Sequence, residues 1–77
     1  MSAPTDADHL RRTLELLGAP GCWVSRGLAC QYFGEAIERD GRGHRDQRWE
    51  PVIAQGLREG WLERKPGLLR LVVEDEP

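Results

Sequence analysis

The side chains best equipped for chemistry in this sequence are cations and amides. Arg39, Arg42, Arg45 and Arg48 recur through one short segment that also holds Gly41 and Gly43, and Arg64 with Lys65 makes a second basic spot. Gln47, Gln55 and Arg58 punctuate the apolar-periodic run between them. A guanidinium can clasp phosphate oxygens or offer two donors to a guanine edge, and a glutamine amide can pair in the same two-point way with adenine. Arginine beside glycine can also approach a phosphate closely. Arg42, Arg45, Gln47, Arg48, Gln55, Arg58, Arg64 and Lys65 are therefore the candidate contacts to an anion or a base edge. Taken alone, the arginine-rich segment reads equally well as a solvated connector.

Catalysis and metal binding have weaker footings. There is no pair of carboxylates spaced for acid–base work, no Ser-His-Asp set and no phosphate-cradling glycine loop, so we expect neither an enzyme nor a cofactor. His44, two positions before Asp46, is the nearest approach to a catalytic pair, and adjacency by chance explains it. Cys22 and Cys30 lie too far apart for a CxxC motif. Combining them with His9 and His44 gives four potential zinc ligands at a spacing that fits no familiar site. Free thiols are the expectation, with Cys30 in a helix and Cys22 in a loop or strand.

The elements that must position these groups can be read from caps and periodicity. Thr5-Asp6-Ala7-Asp8 has the form of a capping box, and Leu10, Leu14 and Leu17 then share a face with Ala7 until Gly18 ends the helix. Pro20-Gly21 turns the chain. Cys22-Trp23-Val24 is too short to stand alone as a strand and needs a neighbouring edge. Ser25 caps a second helix, whose apolar spacing runs to about Glu38 despite Gly27 and Gly34. Residues 39–46 hold no apolar side chain and read as a loop. Pro51 places the start of the third helix at Arg48 to Glu50, since proline is comfortable in a first turn. Trp49, Ile53, Leu57 and Gly60 fall on one stripe with Val52 and Gly56 beside it, leaving Arg48, Gln55 and Arg58 facing away.

Gly60 suits a left-handed helix stop. Trp61 to Arg64 then makes one strand, Lys65-Pro66-Gly67-Leu68 a type II turn, and Leu69 to Val73 the second strand. The expected core is Leu14, Ile53, Leu57, Leu62 and Leu71, joined by Phe33 and one or more tryptophans.

Charge placement matters more than total charge. The formal net charge is −2, but acids crowd both ends, at Asp6 and Asp8 and at Glu74, Asp75 and Glu76. Setting those five aside leaves eight of the 13 acids against 11 bases. That balance permits a nucleic-acid partner without requiring one. The 77 residues suffice for one modest core. We expect a single domain over 5–73 between a tail at 1–4 and an acidic tail at 74–77. No apolar run approaches the roughly 20 residues of a membrane span, and no signal-peptide pattern opens the chain, so a cytoplasmic location is expected.

The order helix, short strand, helix, helix, hairpin resembles a small winged helix-turn-helix domain of the bacterial and phage regulator type. The likeness is strongest in LREGWLERKPGLLRL, where a helix end, a glycine, an apolar pair and a basic hairpin follow in order. The eight-residue loop at 39–46 departs from it, because such domains join these helices with three or four residues. The resemblance implies a mostly α fold with a small β-hairpin, and a DNA-binding regulator or DNA-associated accessory protein. In that reading the third helix would enter the major groove, the wing would rest on the flanking backbone, and a homodimer would raise a modest single-copy affinity. The same scaffold could instead serve as a protein–protein interaction module. Neither reading involves a membrane.

Overall fold

The computed structural model describes residues 5–18, 21–41 and 43–72. Three helices and a small antiparallel sheet follow one another as α1 (Asp6–Leu17), β1 (Val24–Ser25), α2 (Arg26–Arg39), α3 (Arg45–Glu59), β2 (Leu62–Lys65) and β3 (Leu68–Leu71). This is the expected element order. The expectations for residues 1–4, Pro20, Arg42, Val73 and 74–77 lie outside the described residues.

The helix starts are set by their caps. At α1 the Thr5 backbone N–H donates to Asp8 Oδ2 at 3.0 Å, and Thr5 Oγ1 accepts from the Asp8 N–H at 3.1 Å, so both halves of the capping box are made. Ser25 Oγ accepts from the Leu28 N–H at the head of α2. At the far end of α3, Gly60 takes φ 85°, the left-handed backbone that stops a helix, and its N–H reaches back to the Gly56 carbonyl.

The start of α3 corrects the sequence reading. The helix begins at Arg45, so Pro51 sits in its second turn, where it deprives the Gln47 carbonyl of a donor. Tertiary contacts offset that loss. The stem of Arg45 lies so close to Gly34 that a Cβ there would meet it at 3.0 Å, and Trp49 packs on Phe33 with ring centroids 5.6 Å apart. Gly34 is thus an interior glycine that lets α2 and α3 approach. It does not end α2, which runs on to Arg39. Both extensions shorten the polar loop from 39–46 to 40–44.

β3 is the central strand. It pairs with β2 in the register Leu62↔Leu71 and Arg64↔Leu69, and with β1 as Val24↔Leu69 and Ser25↔Leu68. The short strand therefore finds the edge it needs. The turn Pro66-Gly67 has Gly67 at φ 75°, as a type II turn requires at its third position. Leu69, flanked on both sides, is fully buried, as are Phe33, Leu10 and Ile37.

Leu14, Phe33, Trp49, Ile53 and Leu62 occupy the expected core, whereas Leu57 and Leu71 lie only half-buried against it. For Leu57 the cause is the hairpin, which packs directly on Gly56: a Cβ there would lie 2.8 Å from Leu62 Cβ. That contact turns the buried stripe of α3 toward Trp49, Val52, Ile53 and Gly56. Leu71 stands beyond the reach of the two-residue β1.

Candidate nucleic-acid interface

The outer stripe of α3 is Gln47, Pro51, Ala54 and Arg58. At 100° per residue these four lie opposite the buried stripe, and all four are exposed. Gln47 and Arg58 end the stripe about 16 Å apart along the axis. Between them Pro51 and Ala54 keep the surface low.

The other sequence-predicted residues of α3 point elsewhere. Arg48 turns to the flank that meets α1, where Nη1 lies 3.1 Å from Asp6 Oδ2. Gln55 donates through Nε2 to Glu59 Oε2 at 3.3 Å, and Trp61 Nε1 donates to Glu59 Oε1 at 2.9 Å. The Trp61 bond first, then the Gln55 bond, holds the Glu59 carboxyl below the usual carboxylate range. Arg45 heads the helix with Nε 3.7 Å from Asp46 Oδ1.

On the hairpin, Arg64 and Lys65 are exposed. They share a hollow of about 340 Å³ with Arg26, floored by Ile53 and Leu69 and closed by the Pro66-Gly67 turn. A backbone bond fixes the arrangement: the Arg26 N–H, at the head of α2, donates to the Gly67 carbonyl at 2.9 Å. Residues from two distant segments thus meet where the positive end of a 14-residue helix joins a hairpin turn. Behind the turn, the Lys65 ammonium and the Arg70 guanidinium each lie 4.5 Å from the centre of the Trp23 ring, so the indole seats both cations.

Arg26 escaped the sequence reading. Its only signal there was its place after the Ser25 cap, which says nothing about the hairpin 40 residues on. Two acids near this face are matched by cations, while Glu59 is held by the neutral Trp61 and Gln55. Glu50 Oε1 is 2.8 Å from Arg26 Nη2, and Glu63 Oε1 takes two bonds from Arg70 at 2.7 and 3.0 Å.

The two cysteines sit apart in role, Cys22 exposed in the segment before β1 and Cys30 half-buried in α2. Burial pushes the Cys30 thiol above its ordinary value, which disfavours the thiolate needed for nucleophilic or ligand chemistry. Among the described residues no three His, Cys, Asp or Glu side chains converge as a metal set, and no helix is long and apolar enough to cross a membrane. Comparison with known proteins returns no matching family model, no matching curated protein and no matching solved structure.

Proposed function

We propose that this chain is a winged helix-turn-helix domain that binds duplex DNA, as a transcriptional regulator or a DNA-associated accessory protein. The observation that carries the reading is the hollow that Arg26, Arg64 and Lys65 line with the Pro66-Gly67 turn, touching α3 at Ile53. Phosphate oxygens suit such a hollow, because Arg64 is exposed there and the head of α2 adds a positive potential. With the wing on the backbone, α3 lies in the major groove. Arg58 then addresses a guanine edge, Gln47 an adenine edge, and the Ala54 methyl a thymine methyl. Arg45, at the head of α3, reaches the next phosphate along. Ion pairing at Glu50 and Glu63 lessens the repulsion these acids would exert on phosphates.

A protein–protein interaction module is the second reading. It is favoured by the internal engagement of Arg48 and Gln55, which leaves α3 fewer polar groups for bases.

Fluorescence anisotropy with mixed-sequence duplexes at low salt separates the two. Binding should weaken linearly in log–log salt plots. Arg64→Ala with Lys65→Ala should lower the slope by roughly 0.9 per lost phosphate contact, at every sequence alike. Absence of binding at low salt would assign the α3–hairpin surface to a protein partner.

A further inference from the structure

Arg64 and Lys65 are neighbours on β2, so their side chains leave opposite faces of the sheet. Arg64 pairs with the buried Leu69, on the side of the core, and lines the hollow under the turn. Lys65 pairs with Leu68, and Glu63 with Arg70, on the outer side. β1 adds an aromatic ring to that side. With Ser25 opposite Leu68 and Val24 opposite Leu69, the same antiparallel register sets Trp23 opposite Arg70.

The half-buried indole of Trp23 carries two cations of unequal freedom. Lys65 Nζ and Arg70 Cζ each stand 4.5 Å from its ring centre. Arg70 is already committed, because its Nε and Nη2 both donate to Glu63 Oε1, at 3.0 and 2.7 Å. Lys65 is exposed and has no carboxylate partner among the described residues. An ammonium has three donors, so one held against a ring still offers N–H groups on its solvent side. Lys65 can therefore keep the indole and bind a phosphate oxygen at the same time.

We propose, on the reading that the hairpin meets DNA, that Trp23 is the positioning residue of the Lys65 phosphate contact. A lysine stem is flexible, and ordering it on binding costs affinity. The ring orders it beforehand. Trp23 touches no nucleotide and acts only through Lys65. Arg64 and Lys65 then address two phosphates, one from each side of the hairpin.

A double-mutant cycle tests this, read by fluorescence anisotropy with mixed-sequence duplexes at low salt. Trp23→Leu should weaken binding about two- to five-fold, the worth of an exposed cation–ring contact. In a chain that already carries Lys65→Ala the same change should do nothing, because Arg70 stays with Glu63. Trp23→Phe keeps an aromatic face and should recover part of the loss. NMR shifts of the Lys65 ε-methylene protons in the wild-type protein give a second measure, free of any variant's folding. They should lie upfield of an ordinary lysine, under the ring, and stay there when DNA binds. Equal loss from Trp23→Leu in both backgrounds overturns the proposal and leaves DNA binding standing. So does a Lys65 shift that returns to the ordinary position on binding, which would make the indole a resting place in competition with phosphate. A wild-type chain that binds no duplex at low salt fails at the earlier step. DNA binding and the proposal then fall together, even with the upfield Lys65 shift intact.

Discussion

The α3–hairpin face and the α1–α2 face lie on one small scaffold, yet they dispose of charge in opposite ways. Around α3 and the hairpin, Glu50 and Glu63 are each taken up by a neighbouring arginine, and Arg58 and Arg64 are left outward. Along α1 and α2, Arg12 and Glu35 stand on facing helices on either side of a groove that opens onto Leu16 and Tyr32. A surface whose acids are neutralised in place offers a net cationic rim, which suits a polyanion. Net charge, −2 for the chain, describes neither face.

Both faces depend on one core, so the largest effect comes from removing it. Phe33 is fully buried, stands on α2 and packs with tilted rings against Trp49 of α3, joining the elements that carry the two surfaces. Phe33→Ala should cost about 3–5 kcal/mol, a large share of the stability of so small a domain. Urea denaturation should show the midpoint lost or sharply lowered, and DNA binding should fall with it. An unchanged midpoint would mean that the core does not depend on Phe33.

Next in size is the outer stripe of α3. Arg58→Ala should cost about 1–3 kcal/mol at one base position and leave other positions unchanged, measured by competition among duplexes that differ at single base pairs. A uniform loss across all sequences would move Arg58 from base edge to backbone and shift the reading to Gln47.

Local features of this fold were legible in the sequence, and long-range ones were not. The Thr5–Asp8 box, the Ser25 cap, the Gly60 stop and the Pro66-Gly67 turn each depend on residues within a few positions of one another, and each is made as read. The start of α3 was misplaced because local rules put Pro51 in a first turn. The opposing contacts, Arg45 on Gly34 and Trp49 on Phe33, come from another helix. The site divides the same way. Arg58, Gln47, Arg64 and Lys65 are outward as periodicity and turn chemistry imply, but Arg48 lies one-quarter turn from the outer stripe and finds Asp6 42 positions away. Arg26 joins the hairpin only because β1 pairs with β3 and carries the head of α2 to the turn.

A smaller effect tests how α1 is anchored beneath its groove. Thr5→Ala removes the side-chain acceptor for the Asp8 N–H and should cost about 1 kcal/mol at neutral pH. The Thr5 backbone N–H, and after it the Thr5 hydroxyl, holds the Asp8 carboxyl below the usual range. Since its pKa is depressed on folding, the stability from Asp8 is present above the unfolded value near ~4 and is lost as pH falls through the lower folded value. Glu59 shares that sign through its bonds from Trp61 and Gln55. Asp8→Asn should therefore lessen, without abolishing, the acid-side loss of stability in melts taken from pH ~6 downward. An unchanged acid limb would mean that the capping bond is equally available to the unfolded chain.

The smallest effect gives the finest division between reading and support. Arg48 and Arg58 are both arginines of α3, but the first reaches Asp6 at 3.1 Å while the second faces outward. Arg48→Ala should lower stability by at most about 1 kcal/mol, because the Arg48 side chain is 42 % exposed and solvent screens the pair. Asp6 lies in the first turn of α1, where the helix N-terminus favours a carboxylate, and this limits the loss further. Base preference should stay as in the wild type, in contrast to Arg58→Ala. The measurements are a urea melt and the same single-base competition series. If preference instead relaxes at one position and the melt does not move, Arg48 leaves Asp6 when DNA is bound. The reading face of α3 then extends from the outer stripe to the flank above α1, and the ion pair to Asp6 becomes the resting state of a DNA contact.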